Sequence, residues 1–224
     1  MGRWQMARQG LQGLFFVALV LASCSAPGGN NPQEGCGGTE ATVSCLQINS
    51  IVPVADATPT SNVDVHQDIC IDPATGKVLS TEKFIGDHNA QVTLLNKKFP
   101  KASGGFDIRL LGYSVSYRLN QCPALARGCP PLTGFTVASQ TAVIPQGSSL
   151  TLTLPAIPLR VKEEYVAAGG EVFSASLPSY GVTYTFTAQT ISFNQTFTVS
   201  GTTEVTIGDF LRGGFTCPPP GIIE

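Results

Sequence analysis

The fold class of this chain is decided by one stretch, 181-GVTYTFTAQ-189, in which apolar or aromatic residues alternate with threonine. Val182, Tyr184, Phe186 and Ala188 occupy the even positions, and polar residues fill the odd ones. Successive side chains of a β-strand point to opposite faces of a sheet, so a period of two indicates a strand with one buried face.

The same period recurs on both sides of this stretch. Three further segments separated by Gly, Pro and Asn turns carry it: Leu111, Tyr113, Val115, Tyr117 and Leu119; Leu150, Leu152 and Leu154; and Phe197, Val199, Val205 and Ile207. Asn194-Gln195 is expected to turn the chain between the last two strands, which would make a C-terminal hairpin. Only 159–168, LRVKEEYVAA, has a helical composition, and Gly169-Gly170 ends it. Eight or nine strands at this spacing predict an all-β, two-sheet antiparallel β-sandwich with one short helix.

The strand order over 87–210 resembles an immunoglobulin or fibronectin type III domain, with Tyr184-x-Phe186-x-Ala188 in the place of the penultimate strand. The chain departs from that pattern because it lacks the buried tryptophan between the sheets. Three short segments also resemble uncharacterised bacterial lipoproteins: Pro130-Pro131-Leu132-Thr133-Gly134, Pro145-Gln146-Gly147-Ser148-Ser149 and Gly208-Asp209-Phe210. These resemblances imply an immunoglobulin-like fold and no specific activity.

The N-terminus has the three parts of a secretory signal: Arg3 and Arg8, an apolar run over 14–21, and small residues before Cys24. Leu21-Ala22-Ser23-Cys24 resembles the lipobox of bacterial lipoproteins. The resemblance implies cleavage before Cys24, lipid on the Cys24 sulfur and a membrane as partner. Ser25 is not the Asp that retains enteric lipoproteins at the inner membrane, which favours the outer membrane. The alternative is an ordinary signal peptide cut near Ala26.

The remaining composition divides the chain into segments. We predict a signal peptide at 1–23, a lipidated flexible tether at 24–44, a β-sandwich domain at 45–217 and a Pro-rich tail at 218–224. Loss of Arg3 and Arg8 with the signal changes the formal net charge from −2 to −4. A weakly acidic chain lacks the basic patch that nucleic-acid binding requires, so nucleic acid is not expected as a partner.

Six cysteines remain when Cys24 is assigned to lipid, and an even number in an oxidising compartment indicates disulfides. Cys122 and Cys129 bracket a short loop after a strand and are expected to pair. Cys36 and Cys45 bracket a Gly-containing segment, which leaves Cys70 for Cys217. Six cysteines allow about 15 pairings, so this connectivity is an expectation that the sequence does not decide. A zinc or redox site is the alternative, although no Cys-x-x-Cys pair is present.

Aspartate, histidine and cysteine residues cluster at 64-DVHQDICID-72. On one continuous strand Asp64, His66 and Asp68 would share a face, together with Cys70 and Asp72, and imidazole and carboxylate groups are both metal ligands. Asp87 and His88 are the nearest further candidates. The alternative is a solvated strand face whose carboxylates discourage edge pairing.

Catalytic motifs are lacking in this sequence. Only His66 and His88 are available for a catalytic triad, and there is no Gly-x-Ser-x-Gly elbow. The phosphate-loop motif is absent as well, because Thr75-Gly76-Lys77 matches only its end and lacks the first glycine. Glu163-Glu164 are expected to lie on a solvated helix face, because helix neighbours do not face each other. We therefore expect a lipid-anchored envelope lipoprotein without catalytic residues or cofactor, whose sandwich serves binding, adhesion or assembly with an envelope or extracellular protein partner. The alternative is an envelope module that binds metal through the Asp64, His66 and Asp68 face.

Overall fold

The computed structural model describes ten parts of the chain: 34–37, 44–66, 69–71, 78–81, 86–98, 106–124, 128–138, 141–172, 176–192 and 194–210. They contain thirteen strands and one helix. The first seven strands are β1 (Glu34–Gly37), β2 (Ser44–Ala55), β3 (Thr58–Pro59), β4 (Asn62–Asp64), β5 (Ile69–Ile71), β6 (Val78–Thr81) and β7 (His88–Lys98). The others are β8 (Ile108–Gln121), β9 (Phe135–Val137), β10 (Val143–Ile144), β11 (Ser149–Ile157), β12 (Ser179–Thr190) and β13 (Thr196–Gly208), with helix α1 (Leu159–Ala167) before β12.

Two sheets pack face to face, so the prediction of an all-β sandwich is confirmed. Sheet A has the order β1-β2-β7-β11, with β3 paired to the end of β2, and sheet B has the order β10-β8-β12-β13-β4, with β9 also paired to β8. Strands β5 and β6 form a separate two-stranded sheet. One pairing departs from the expected antiparallel pattern, because β4 runs parallel to β13.

The inner faces of the two sheets form the core, as the alternation predicts. Val182, Tyr184, Phe186 and Ala188 are all fully buried in β12. The opposing face includes Leu46, Ile48, Ile51, Val92 and Leu94. Gly201 leaves little space between the sheets, since a Cβ atom there would lie 3.0 Å from Ile48 Cδ1 and 3.1 Å from Ile51 Cδ1 and would require these side chains to shift. Among the described residues the core contains no tryptophan and is filled by aliphatic residues, tyrosines and phenylalanine.

The predicted alternation in β8 is wrong at both of its ends. Register with β12 passes from Gly112 directly to Leu110, which leaves Leu111 as the extra residue of a β-bulge. The bulge turns Leu110, rather than Leu111, into the core. At the other end Leu119 is 40% exposed, because it lies at the margin of the sandwich.

The predicted helix is confirmed, and its end follows the Schellman pattern. Gly169 has a φ of +77°, its N–H donates to Val166 O, and the N–H of Gly170 donates to Tyr165 O. Glycine adopts this left-handed conformation without steric cost, so Gly169 terminates α1 and sends the chain back towards sheet B.

Strand β1 lies inside the segment 24–44 that the composition predicts to be a flexible tether. It pairs with the start of β2, and Cys36 is the register partner of Cys45. Backbone pairing needs no apolar side chains, which explains why a Gly-rich segment forms a strand here. The remainder of the predicted tether within 24–43, like the signal segment 1–23 and the tail 218–224, lies outside the described residues.

Candidate functional site

One predicted disulfide is present. Cys122 and Cys129 are joined with an S–S distance of 2.07 Å and close the loop that follows β8. This loop is held against the helix end, since Gly128 O accepts a hydrogen bond from Glu171 N at 2.9 Å. Pro130, which directly follows Cys129, is also held in place, because the Tyr180 hydroxyl donates to Pro130 O at 2.8 Å. The disulfide loop is therefore a braced part of one end of the sandwich.

The other two disulfide pairings stay predictions. Cys70 is buried and disulfide-bonded, whereas Cys217, its predicted partner, lies outside the described residues. Cys36 and Cys45 stand opposite each other in the β1–β2 ladder, a placement compatible with a cross-strand bridge. The lipidation candidate Cys24 is also outside the described residues. Within the described residues, a search for helices that could span a membrane finds no candidate.

The expected continuous strand from Asp64 to Asp72 is wrong. Strand β4 ends at Asp64, and β5 begins at Ile69 in a different sheet. Asp64 itself ends the strand: its Oδ1 accepts the N–H of His66 at 3.2 Å, a turn contact two residues along the chain. Asp68 and Asp72 lie outside the described residues.

Asp64 is engaged in holding the backbone together. Only 2% of its surface is exposed, and its Oδ1 also accepts the N–H of Phe210 at 3.4 Å, beyond the end of β13. Among the described residues no group of three His, Cys, Asp or Glu side chains is placed to hold a metal ion. The geometry of Asp64 and His66 therefore indicates a structural junction between β4 and the C-terminal strand.

His88 and Asp87 also make contacts that indicate a structural role. His88 is fully buried at the start of β7, with its Nε2 3.2 Å from Thr60 O. The Asp87 carboxylate accepts the N–H of Leu159 at 2.8 Å, in the first turn of α1. A carboxylate at this place satisfies a free helix N–H and complements the helix dipole. Glu163 and Glu164 are exposed on α1, as predicted, and Glu164 bonds to Arg160.

The five tyrosines of the chain are buried or half-buried, and the hydroxyls of four of them donate to backbone carbonyls. Tyr117 and Tyr184 of sheet B donate to Ala156 O at 2.8 Å and Pro155 O at 3.0 Å, both in β11 of sheet A. Tyr165 donates to Glu171 O at 2.7 Å. Burial raises the pKa of Tyr180 to about 12, and it raises the pKa values of Tyr184 and Tyr117 as well. Such phenols remain protonated at neutral pH and act as hydrogen-bond donors between layers.

The outer face of sheet B is the polar surface that sequence reasoning missed. The alternating threonines of β12 and β13 are visible in the sequence as the outward half of each strand. Which of these residues lie side by side depends on the register of β8, β12 and β13, and the sequence does not predict that register. Cross-strand hydroxyl pairs join Thr183 to Thr202 at 2.8 Å and Thr185 to Ser200 at 2.9 Å. On this surface hydroxyl residues of three neighbouring strands lie in register.

Comparison with protein-family models, with curated proteins and with solved structures finds no match to this chain.

Proposed function

We propose that this chain is a lipid-anchored protein of the bacterial cell envelope, and that its β-sandwich acts in binding or assembly rather than catalysis. The observation that carries the proposal is the Cys122–Cys129 disulfide. Disulfides persist in oxidising compartments and are rare in the cytosol, so the bridge supports export of the folded domain.

The lipobox-like sequence before Cys24 supplies the anchor in this proposal. Its resemblance to lipoprotein signals implies that Cys24 carries several acyl chains. Each buried methylene contributes about 0.8 kcal/mol, so more than one chain anchors a protein stably. The outer membrane is the proposed location, since Ser25 follows the lipidated cysteine.

A binding role is favoured over catalysis by how the candidate polar residues are used. Asp64, Asp87 and His88 each contact backbone atoms that hold strands or the helix in place. Side chains with such structural contacts are poorly disposed to bind and release a substrate. The broad outer faces of the two sheets are left as surfaces for a partner or ligand.

Metabolic labelling with a clickable palmitate analogue tests the anchor. The wild-type chain and Ser23→Ala, which keeps a small residue in the box, should incorporate label and sediment with membranes. Cys24→Ala should lose the label and leave the membrane fraction. Equal labelling of Cys24→Ala and the wild type, or absence of label from both, would show that Cys24 is not the lipid attachment point.

A further inference from the structure

The three central strands of sheet B align hydroxyl side chains into a grid on their outer face. In the register of β8, β12 and β13, Ser116, Thr183 and Thr202 form one row, and Ser114, Thr185 and Ser200 form the next. The third row is Gly112, Thr187 and Thr198. We call the eight hydroxyl residues of these rows the hydroxyl face. All eight are half-buried or exposed.

Four of the eight hydroxyls of this face are held in position by hydrogen bonds to one another. Thr183 Oγ1 lies 2.8 Å from Thr202 Oγ1, and Thr185 Oγ1 lies 2.9 Å from Ser200 Oγ. The β-branched threonine side chain has a restricted χ1 angle, so such a pair loses little further freedom on binding. Each hydroxyl carries one hydrogen and two acceptor lone pairs. A bonded pair therefore keeps one donor and several acceptor sites for a ligand.

Sheet A shows that this uniformity is not a general property of the outward strand positions. Its outer face has one similar row, in which Ser50, Thr93 and Thr151 are register partners and the Oγ1 atoms of Thr93 and Thr151 lie 3.0 Å apart. The neighbouring outward positions are mixed, however, and include Leu95, Gln91 and Val52. The hydroxyl face of sheet B contains neither apolar nor charged side chains within its three rows. Arg118 and Glu204 lie one row beyond it.

A shallow crevice adjoins the hydroxyl face at the third row. It has a volume of about 320 Å³; Ser114, Thr136 and Thr187 contribute hydroxyl groups to its lining, and Leu111, Val137 and Ala138 contribute apolar groups. Gly112 forms the floor, where any larger residue would clash with the Val137 carbonyl oxygen. The crevice gives the otherwise flat surface a wall against which one end of a ligand can be placed.

We propose that the hydroxyl face and its crevice bind an uncharged polysaccharide. Sugar hydroxyls both donate and accept hydrogen bonds, which matches a surface made of groups that do the same. Strands lie about 4.8 Å apart and same-face residues about 7 Å apart, so the grid offers repeated contacts to a chain with regularly spaced hydroxyls. A protein partner fits less well, because interface centres are enriched in aromatic residues, Met and Arg, and the rows have none. This inference rests on the proposed function, since an envelope domain meets extracellular glycans.

The test measures binding of the purified full chain, kept in detergent, to immobilised laminarin, dextran and mannan by biolayer interferometry, with anionic alginate for comparison. We expect saturable binding to at least one neutral glycan that does not weaken when salt is raised. The double variant Thr183→Val with Thr185→Val should bind at least about tenfold more weakly, because two hydrogen-bonding groups are lost while shape and strand preference are kept. Thr93→Val with Thr151→Val, the same change on sheet A, should bind like the wild type.

Several outcomes would overturn the inference: no saturable binding to any of the three neutral glycans, equal weakening in both double variants, or binding only to alginate that salt abolishes. Detection by mass spectrometry of hexose attached to Thr183 or Thr185 in the natively produced chain would also overturn the inference, because a glycosylated hydroxyl cannot contact a ligand. The Cys24→Ala chain separates this inference from the proposed anchor. Its glycan binding should equal that of the wild type whether or not Cys24 carries lipid.

Discussion

The Tyr184 hydroxyl in β12 donates to the carbonyl oxygen of Pro155 in β11, 3.0 Å away, and so joins sheet B to sheet A across the core. The neighbouring contact from Tyr117 to Ala156 O repeats the arrangement. Register between β11 and β7 shifts between Pro155 and Ile157, so Ala156 is the extra residue of a β-bulge at this point of β11. The two sheets are thus connected by directed hydrogen bonds as well as by apolar packing.

Replacing Tyr184 by Phe should lower the free energy of unfolding by about 1–3 kcal/mol, because the partly buried Pro155 carbonyl loses its donor. Urea unfolding followed by far-UV circular dichroism measures the change. Tyr113→Phe is the matched control, since within the described residues the Tyr113 hydroxyl has no protein hydrogen-bond partner, and it should change stability by less than about 0.5 kcal/mol. Equal effects of the two substitutions would contradict the inter-sheet role of Tyr184.

Stability should fall when the pH rises above 10. Burial raises the pKa of Tyr180 to about 12, whereas in the unfolded chain a tyrosine ionises near pH 10. Between these values the unfolded state binds fewer protons than the folded state, so raising the pH favours unfolding. The expected slope is at most about 1.4 kcal/mol per pH unit for each such tyrosine.

Urea titrations at pH 9, 10 and 11 measure this slope. Tyr180→Phe should show a shallower decline than the wild type, because it removes one of the ionising groups. A free energy of unfolding that stays constant over this range, or identical slopes for both proteins, would count against burial of a protonated Tyr180.

Asn96 should be required for stability at the opposite end of the sandwich. Its fully buried side chain donates to Ile144 O at 2.9 Å and to Phe106 O at 2.8 Å, which links β7 of sheet A to β10 of sheet B. Asn96→Leu leaves two carbonyls without this donor and should cost about 2–4 kcal/mol. Thermal unfolding compares it with Gln91→Leu, an exposed position of the same strand, which should be nearly neutral. A neutral Asn96→Leu would show that the amide does not connect the sheets.

Removing the Cys122–Cys129 bridge should destabilise the domain moderately. The bridge closes a short loop, for which the chain-entropy model gives about 2–3 kcal/mol. The double variant Cys122→Ser with Cys129→Ser should therefore unfold at a lower urea concentration under non-reducing conditions. Reductant should lower the midpoint of the double variant less than that of the wild type, which has this additional bridge to lose. An unchanged midpoint in the double variant would indicate that the loop is held by its backbone contacts alone.

The sequence predicts the parts of the fold that depend on period-two alternation. Strands β12 and β13 and their hairpin follow from it, because one apolar face must be buried against another layer. Helix α1 follows from its composition and from Gly169. The bulge at Leu111 is not predictable in this way, since it depends on pairing with β12 rather than on the local pattern.

The candidate sites depend on contacts between segments distant in sequence, and this limits prediction more strongly. The alternating pattern predicts that Asp64 and Asp72 lie on one strand. In the structure, however, the hydrogen bond from His66 N to the Asp64 carboxylate ends β4 after Asp64. Strand β1 lacks an apolar pattern and is defined by backbone pairing with β2. The hydroxyl face becomes visible only when the register aligns Thr183 with Thr202 and Ser116.

Intact-mass spectrometry of the chain extracted from membranes is the most direct test of the proposed lipid anchor. We predict a chain that begins at Cys24, carries the added mass of a diacylglyceryl group, and lacks six hydrogens because the six other cysteines form three bridges. Fragmentation should place the lipid mass on Cys24. A chain that begins near Ala26 without acyl mass, or one that retains residues 1–23, would contradict the account.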